Sequence, residues 1–228
     1  KVLRSIKVHW RKVMSALVLG CGRTGTNMLL EILRASPHLQ ATEIAEDKQV
    51  FYRSEKLPGN YLSKCDTVYV PDFGMVKRLL DDNPQLRILW TIRDLRDTAL
   101  SKIYRGQPGH DSPTLSDDAT HKGCIKDLEW MRHIYRFINS NYPDRIMLVK
   151  MEDVILKFEN TIKNVCDFCG IEYIKEMQNF TGRYRNEHKA KRYKGLDSKQ
   201  VGIYKNIESA YNGFFKQHSI DIDLLFSD

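Results

Sequence analysis

Between residues 16 and 33 the chain reads ALVLGCGRTGTNMLLEIL. Its middle gathers three glycines (Gly20, Gly22, Gly25), one cation (Arg23) and the short polar side chains of Thr24, Thr26 and Asn27. An apolar run before the glycines and apolar-periodic residues after them make a strand, a tight loop and a helix. Such a junction aims main-chain N–H groups and a helix N-terminus at one point, which suits an anion. Three anion-binding patterns can be laid on it. Gly20 to Gly25 matches G-x-G-x-x-G, the dinucleotide fingerprint, with Glu43 in the place of the ribose-binding acid. Against it, SPHLQAT before Glu43 is a poor second strand, and Arg23 crowds a turn that takes small residues. The same letters nearly fit G-x-x-x-x-G-K-[ST], but Thr26 replaces the phosphate-binding Lys and Asn27 the magnesium-binding hydroxyl. A metal-dependent P-loop kinase is therefore only an alternative. The third pattern keeps the phosphate cradle, drops the metal site and sets Arg23 inside the loop. That suits sulfuryl transfer, because SO3 carries less charge than a phosphoryl group and a side-chain cation with loop N–H groups can hold it.

A second constellation is ILWTIRDLRDTALS, residues 88–101. Arg93 leaves a strand end and Ser101 follows two helical turns later, so a planar guanidinium and a hydroxyl can grip one phosphate together. Taken alone, Asp94 and Asp97 would also favour an ordinary helix start. A third fragment, RIMLVKMEDVILKFENTIKNVCDFCGI (145–171), reads as strand, acidic pair and apolar helix. A fourth, RYKG (192–195), lies in a segment with six Lys/Arg and one acid. Together these resemble the sulfotransferase family, whose loop runs basic-[ST]-G-[ST]-[ST] and whose second signature is R-D-x-x-[DR]-x-x-x-S. The first loop fits with Asn27 in place of the last hydroxyl. The resemblance covers roughly residues 16–205.

It implies 3′-phosphoadenosine 5′-phosphosulfate (PAPS) as donor, 3′,5′-adenosine bisphosphate (PAP) as product, and no metal. Gly22, Arg23, Thr24, Gly25, Thr26 and Asn27 would hold the 5′ end. Arg93 and Ser101 would bind the 3′-phosphate, with Arg192, Lys194 and Gly195 closing over it. The fragment 145–171 takes a scaffold role. The acceptor must lose a proton, so a base is expected near the loop. Many relatives end a strand in Lys-Thr-His; here the matching residues are Lys64-Cys65-Asp66, which makes Asp66 the candidate base and Lys64 a group that neutralises developing charge. A plain turn over Ser63 to Asp66 is the competing reading. Glu43, after the second strand, is the rival base. Glu46, among exposed charges, is set aside, and His110 and His121 sit in a long loop.

These side chains need elements to carry them. Apolar runs predict strands at 16–20, 61–66, 86–92 and 145–151, and a short one within 38–52. Helical spacing predicts helices at 26–35, 73–81, 94–103, through Tyr135 and Ile138, and along Ile155, Phe158, Ile162, Val165 and Cys169, with Gly170 as C-cap. Ser36-Pro37 stops the first helix. The alternation implies a three-layer α/β domain, a mainly parallel central sheet flanked by helices, with ligands at the strand ends. Residues 1–228 are read as one domain: a basic N-terminal extension (1–15), a substrate loop (104–122) and a donor-covering segment (182–205).

Bulk properties set limits. A net charge of +7 favours anionic partners. Aromatic residues form no base-stacking platform, so nucleic acid is not expected, although a basic polyanion-binding module without catalysis is a second alternative. No run approaches a membrane span or a secretory signal. Lys rather than Met at the start suggests removal of something upstream. Five irregularly spaced cysteines suggest a reducing, cytoplasmic setting, and Cys166-x-x-Cys169 reads as core packing rather than a metal or redox pair. The resemblance implies that loops build the substrate pocket, here 44–60 and 104–122, and their mixed His, Asp, Lys and Arg content points to a polar acceptor, a small molecule or carbohydrate.

Overall fold

The computed structural model describes residues 13–44, 46–94, 97, 98, 101 and 133–179. Strands β1 (Ser15–Gly20), β2 (Gln40–Ala41), β3 (Tyr61–Asp66), β4 (Leu86–Ile92) and β5 (Ile146–Lys150) form one sheet in the order β2-β3-β1-β4-β5. Every neighbouring pair is parallel. Every residue of β1 is buried, as is all of β4 except half-buried Arg87. Apolar runs of this kind belong in a sheet covered on both faces.

The pleat divides the core in two. Ala16, Val18, Leu62, Leu89 and Val149 face the side packed by α1 (Thr26–Arg34), α3 (Met151–Leu156) and α4 (Phe158–Cys169). Leu17, Leu19, Tyr61, Cys65, Ile88 and Trp90 face the side packed by α2 (Phe73–Asp82) and by Ile134 and Ile138 of the helical residues 133–141. This is the three-layer α/β arrangement expected from the alternation of elements.

Local chemistry sets the boundaries. The Asp72 carboxylate accepts from the Met75 amide at 2.8 Å and starts α2. Gly170, at φ 67°, closes α4 in the left-handed conformation. One expectation is corrected: the apolar stripe from Ile155 to Cys169 is two helices, broken at Lys157. The stripe faces one core on both sides of the break, so its spacing conceals it. The Thr161 hydroxyl bridges the junction, 3.1 Å from the Asp153 carbonyl and 2.9 Å from that of Lys157. Likewise β5 stops at Lys150, and Met151 already opens α3.

Residues 97, 98 and 101 are helical, as predicted after β4. Cys166 and Cys169 are buried, with Cys166 Sγ 3.7 Å from Met177 Sδ, and burial pushes both thiols up to about 12. Among the described residues no helix is long and apolar enough to cross a membrane. Residues 1–12, the loop 104–122 with His110 and His121, and the segment 182–205 with Arg192, Lys194 and Gly195 lie outside the described residues.

The chain passes from β1 outward to β2 and back to β3, then crosses to β4 on the other side. The carboxyl end of β1 is thus the point where strand order reverses, the usual place for a ligand in an open α/β sheet.

Candidate active site

Gly20 ends β1 and pairs with Asp66 of β3 on one side and Thr91 of β4 on the other. A Cβ at this position would lie 2.7 Å from Thr24 Oγ1 and 2.9 Å from the Thr91 carbonyl oxygen, so only glycine fits. The loop then folds back on itself. The Thr24 amide donates to the Cys21 carbonyl at 3.1 Å, and its hydroxyl reaches the same oxygen at 2.7 Å. That hydroxyl also lies 2.8 Å from Thr91 Oγ1. Thr24, expected to face the donor, thus has its side chain buried inside the loop and braces it against β4. Arg23 (φ 77°) and Gly25 (φ 98°, the N-cap of α1) both adopt left-handed backbone. Such alternation is how consecutive N–H groups come to face one anion. Thr26 is buried, whereas Arg23 and Asn27 are exposed.

On the β4 side, the buried Arg93 lies 3.8 Å from the buried Asp97 carboxylate. Its Nη1 donates to the Arg23 carbonyl at 3.4 Å. In return, Arg23 Nε donates to Ser101 Oγ at 2.9 Å. Two motifs remote in sequence therefore meet in one place. Glu152 of α3 joins them: its Oε1 accepts from the Asp94 amide at 3.1 Å. Burial raises the Glu152 carboxyl above the usual range, while the hydrogen bonds from the Asp94 and Glu152 amides and the Arg93 charge pull it down. The scaffold fragment thus has a specific task, bracing the turn that carries Arg93.

On the β3 side, Lys64 and Asp66 stand beside Val18 and Gly20. They are buried or half-buried strand residues, which removes the competing reading of a surface turn. Asp66 Oδ1 accepts from the Val68 amide at 3.2 Å. Its Oδ2 faces the glycine loop, 2.8 Å from where a Cβ on Gly22 would sit. The Lys64 side chain is 3% exposed, and Nζ pairs with Glu46 Oε1. Glu46 Oε2 accepts from the Asp66 amide at 2.8 Å. Glu46, set aside on sequence, therefore touches both candidate residues of β3. No local spacing announces it, because its partners are 18 and 20 residues away on a neighbouring element. Glu43, the rival base, is exposed on the segment after β2.

Beneath this corner, the fully buried Asp47 accepts from the Tyr61 hydroxyl, from Ser63 Oγ at 3.2 Å and from Arg53 Nη2 at 3.2 Å. Burial and the Asp47 carboxylate hold the Tyr61 hydroxyl well above its usual range.

The sulfotransferase domain model matches residues 14–218. No curated protein matches the chain. Among solved structures, the sulfotransferase domain from the curacin biosynthetic pathway superposes with a TM-score of 0.61 at 13% identity, covering 87% of this chain and 98% of that one. A mouse sulfotransferase complexed with PAP gives 0.55 at 16% identity, covering 91% and 89%. Retinol dehydratase, in complex with androsterone and the inactive cofactor PAP, gives 0.50 at 12% identity, covering 89% and 80%. With nearly its whole length matched by the family model, and with a glycine loop and a strand-end arginine motif meeting at the switch point of a parallel sheet, the chain belongs to the sulfotransferase domain family.

Proposed function

We propose that this protein moves the sulfuryl group of PAPS to a hydroxyl or amine of a polar small-molecule or carbohydrate acceptor, by in-line displacement without a metal. The observation that carries the reading is the junction of the two motifs: Arg93 donates to the Arg23 carbonyl while Arg23 reaches Ser101. That the two cations and the hydroxyl lie together at neighbouring strand ends supports assigning them to the two ends of one adenosine bisphosphate. The cradle fits such a group: Gly22 leaves open the space beside Asp66 that a Cβ would fill, and Gly25 takes a backbone conformation that side chains disfavour. Two of the similar solved structures carry PAP, one of them with androsterone, which supports the same donor class here.

When bound, PAPS supplies the sulfuryl group. The N–H groups of Gly22 to Asn27 and the side chains of Arg23, Thr26 and Asn27 hold the 5′ end, and Thr24 keeps the loop in shape. Arg93 and Ser101 bind the 3′-phosphate, with Arg192, Lys194 and Gly195 as its cover and 104–122 as the acceptor loop. Asp66 Oδ2 takes the acceptor's proton, with Glu43 as the second candidate. Lys64 and Arg23 neutralise charge on the leaving oxygen.

Thermal shift tests the reading. PAP is expected to raise Tm in a dose-dependent way without metal, and ATP with Mg²⁺ to do so far less. The reverse preference would point to the kinase. Salt-steep heparin or RNA binding with no response to PAP would point to a polyanion-binding module. A screen of acceptors with radiolabelled donor then identifies the substrate.

A further inference from the structure

Past β2, the chain continues to track β3 without being a strand. The amides of Gln40, Thr42 and Asp47 donate to the carbonyls of Asn60, Leu62 and Lys64 at 2.8, 2.9 and 2.9 Å. At the next step the pattern changes. The amide of Asp66 donates to a side chain, Glu46 Oε2, at 2.8 Å. The other oxygen of the same carboxylate holds the Lys64 ammonium. Glu46 itself cannot wander, because Asp47 is pinned on the opposite face of β3 by Tyr61, Ser63 and Arg53. Residues 46 and 47 thus straddle the edge of the strand, one carboxylate on each face.

We propose that Glu46 is the positioning residue of the acceptor side: its carboxylate fixes the Lys64 ammonium and the Asp66 main chain in one arrangement against the glycine loop. An ammonium with 3% exposure needs a counter-charge to stay in place. A carboxylate held at two points offers that charge in one orientation. The same contact fixes the backbone from which the Asp66 side chain reaches the loop, and small misplacements there are expensive in rate. Glu46 acts through its neighbours and need not touch donor or acceptor.

The proposal rests on the sulfuryl-transfer reading, and the test separates the two. PAP formation from PAPS is followed with and without 4-nitrophenol as acceptor, alongside PAP thermal stabilisation, in wild type, Glu46→Gln, Glu46→Asp, Lys64→Met and Glu46→Gln/Lys64→Met. Glu46→Gln keeps an acceptor for the Asp66 amide but loses the charge. Its kcat is expected to fall roughly tenfold or more, with the KM for PAPS and the stabilisation by PAP nearly unchanged. In the Lys64→Met background the same change is expected to cost much less, because the partner is gone. Glu46→Asp is expected to recover part of the rate. Wild-type kcat in Glu46→Gln, full additivity in the double variant, or a loss carried by KM with kcat intact would each overturn the proposal. A wild-type protein that PAP does not stabilise and that forms no PAP would remove the underlying reading and this proposal with it.

Discussion

At the scale of single residues, the site is a set of charges whose neighbours are already fixed. Asp66 caps the Val68 amide with one oxygen and offers the other to the loop. Asp66→Asn preserves the cap and removes the proposed base. Turnover is expected to drop by about 100-fold or more, with PAP stabilisation retained; unchanged turnover would shift the role to Glu43. Arg93, the proposed 3′-phosphate ligand, also serves the fold, since Asp97 lies buried beside it. Arg93→Ala is therefore expected to weaken PAP binding by about 2 kcal/mol. It is also expected to lower stability, by about 3 kcal/mol, because it removes a cation from beside the buried Asp97 carboxylate. Adding Asp97→Asn should restore much of the stability and none of the affinity, which calorimetry and denaturant melts distinguish. Equal losses for PAP and for an analogue lacking the 3′-phosphate would rule out the assigned role of Arg93.

At the scale of elements, the loop is held from three sides: Thr91 of β4, Asp66 of β3, and α3, whose Met151 Sδ would lie 3.2 Å from a Cβ on Gly25. The brace from α3 has a pH signature. Burial raises the Glu152 carboxyl above its ordinary value, so ionising it in the folded state is less favourable than in the unfolded chain. The stability it contributes is complete below that value and is lost as pH rises through the higher folded one. Glu152→Gln keeps an oxygen for the Asp94 amide and never ionises. It should melt above wild type at pH 7 and together with it at pH 4; a gap that widens on acidification would contradict the burial argument. Elements were legible in the sequence where one local rule governed them. β4 runs from Leu86 to Ile92 because its apolar run does, and α4 ends at Gly170 because a left-handed cap was available. The break at Lys157 was hidden by a stripe that serves the same core on both sides, and Glu46 by a contact across strands that no spacing encodes.

At the scale of the molecule, two cores sandwich one sheet, and the cysteines report on both. Cys65 lies in one core and Cys166 and Cys169 in the other, with burial pushing all three thiols up to about 12. Iodoacetamide should modify them only as fast as the fold opens, and PAP should slow all three in proportion to the stability it adds. Fast labelling of Cys166 or Cys169 in the native protein would show that helix α4 detaches on its own. The strand order β2-β3-β1-β4-β5 has a further outcome. Under the proposed function, proton removal falls to a stretch ending at residue 66, and the grip on the 3′-phosphate to a stretch beginning at residue 86, on opposite flanks of β1. A chimera importing residues 40–70 from another member of the family should therefore change which alcohol or amine is modified while PAP stabilisation persists. Such a division would let part of substrate choice diverge along one ribbon of chain while the grip on the 3′-phosphate is inherited unchanged.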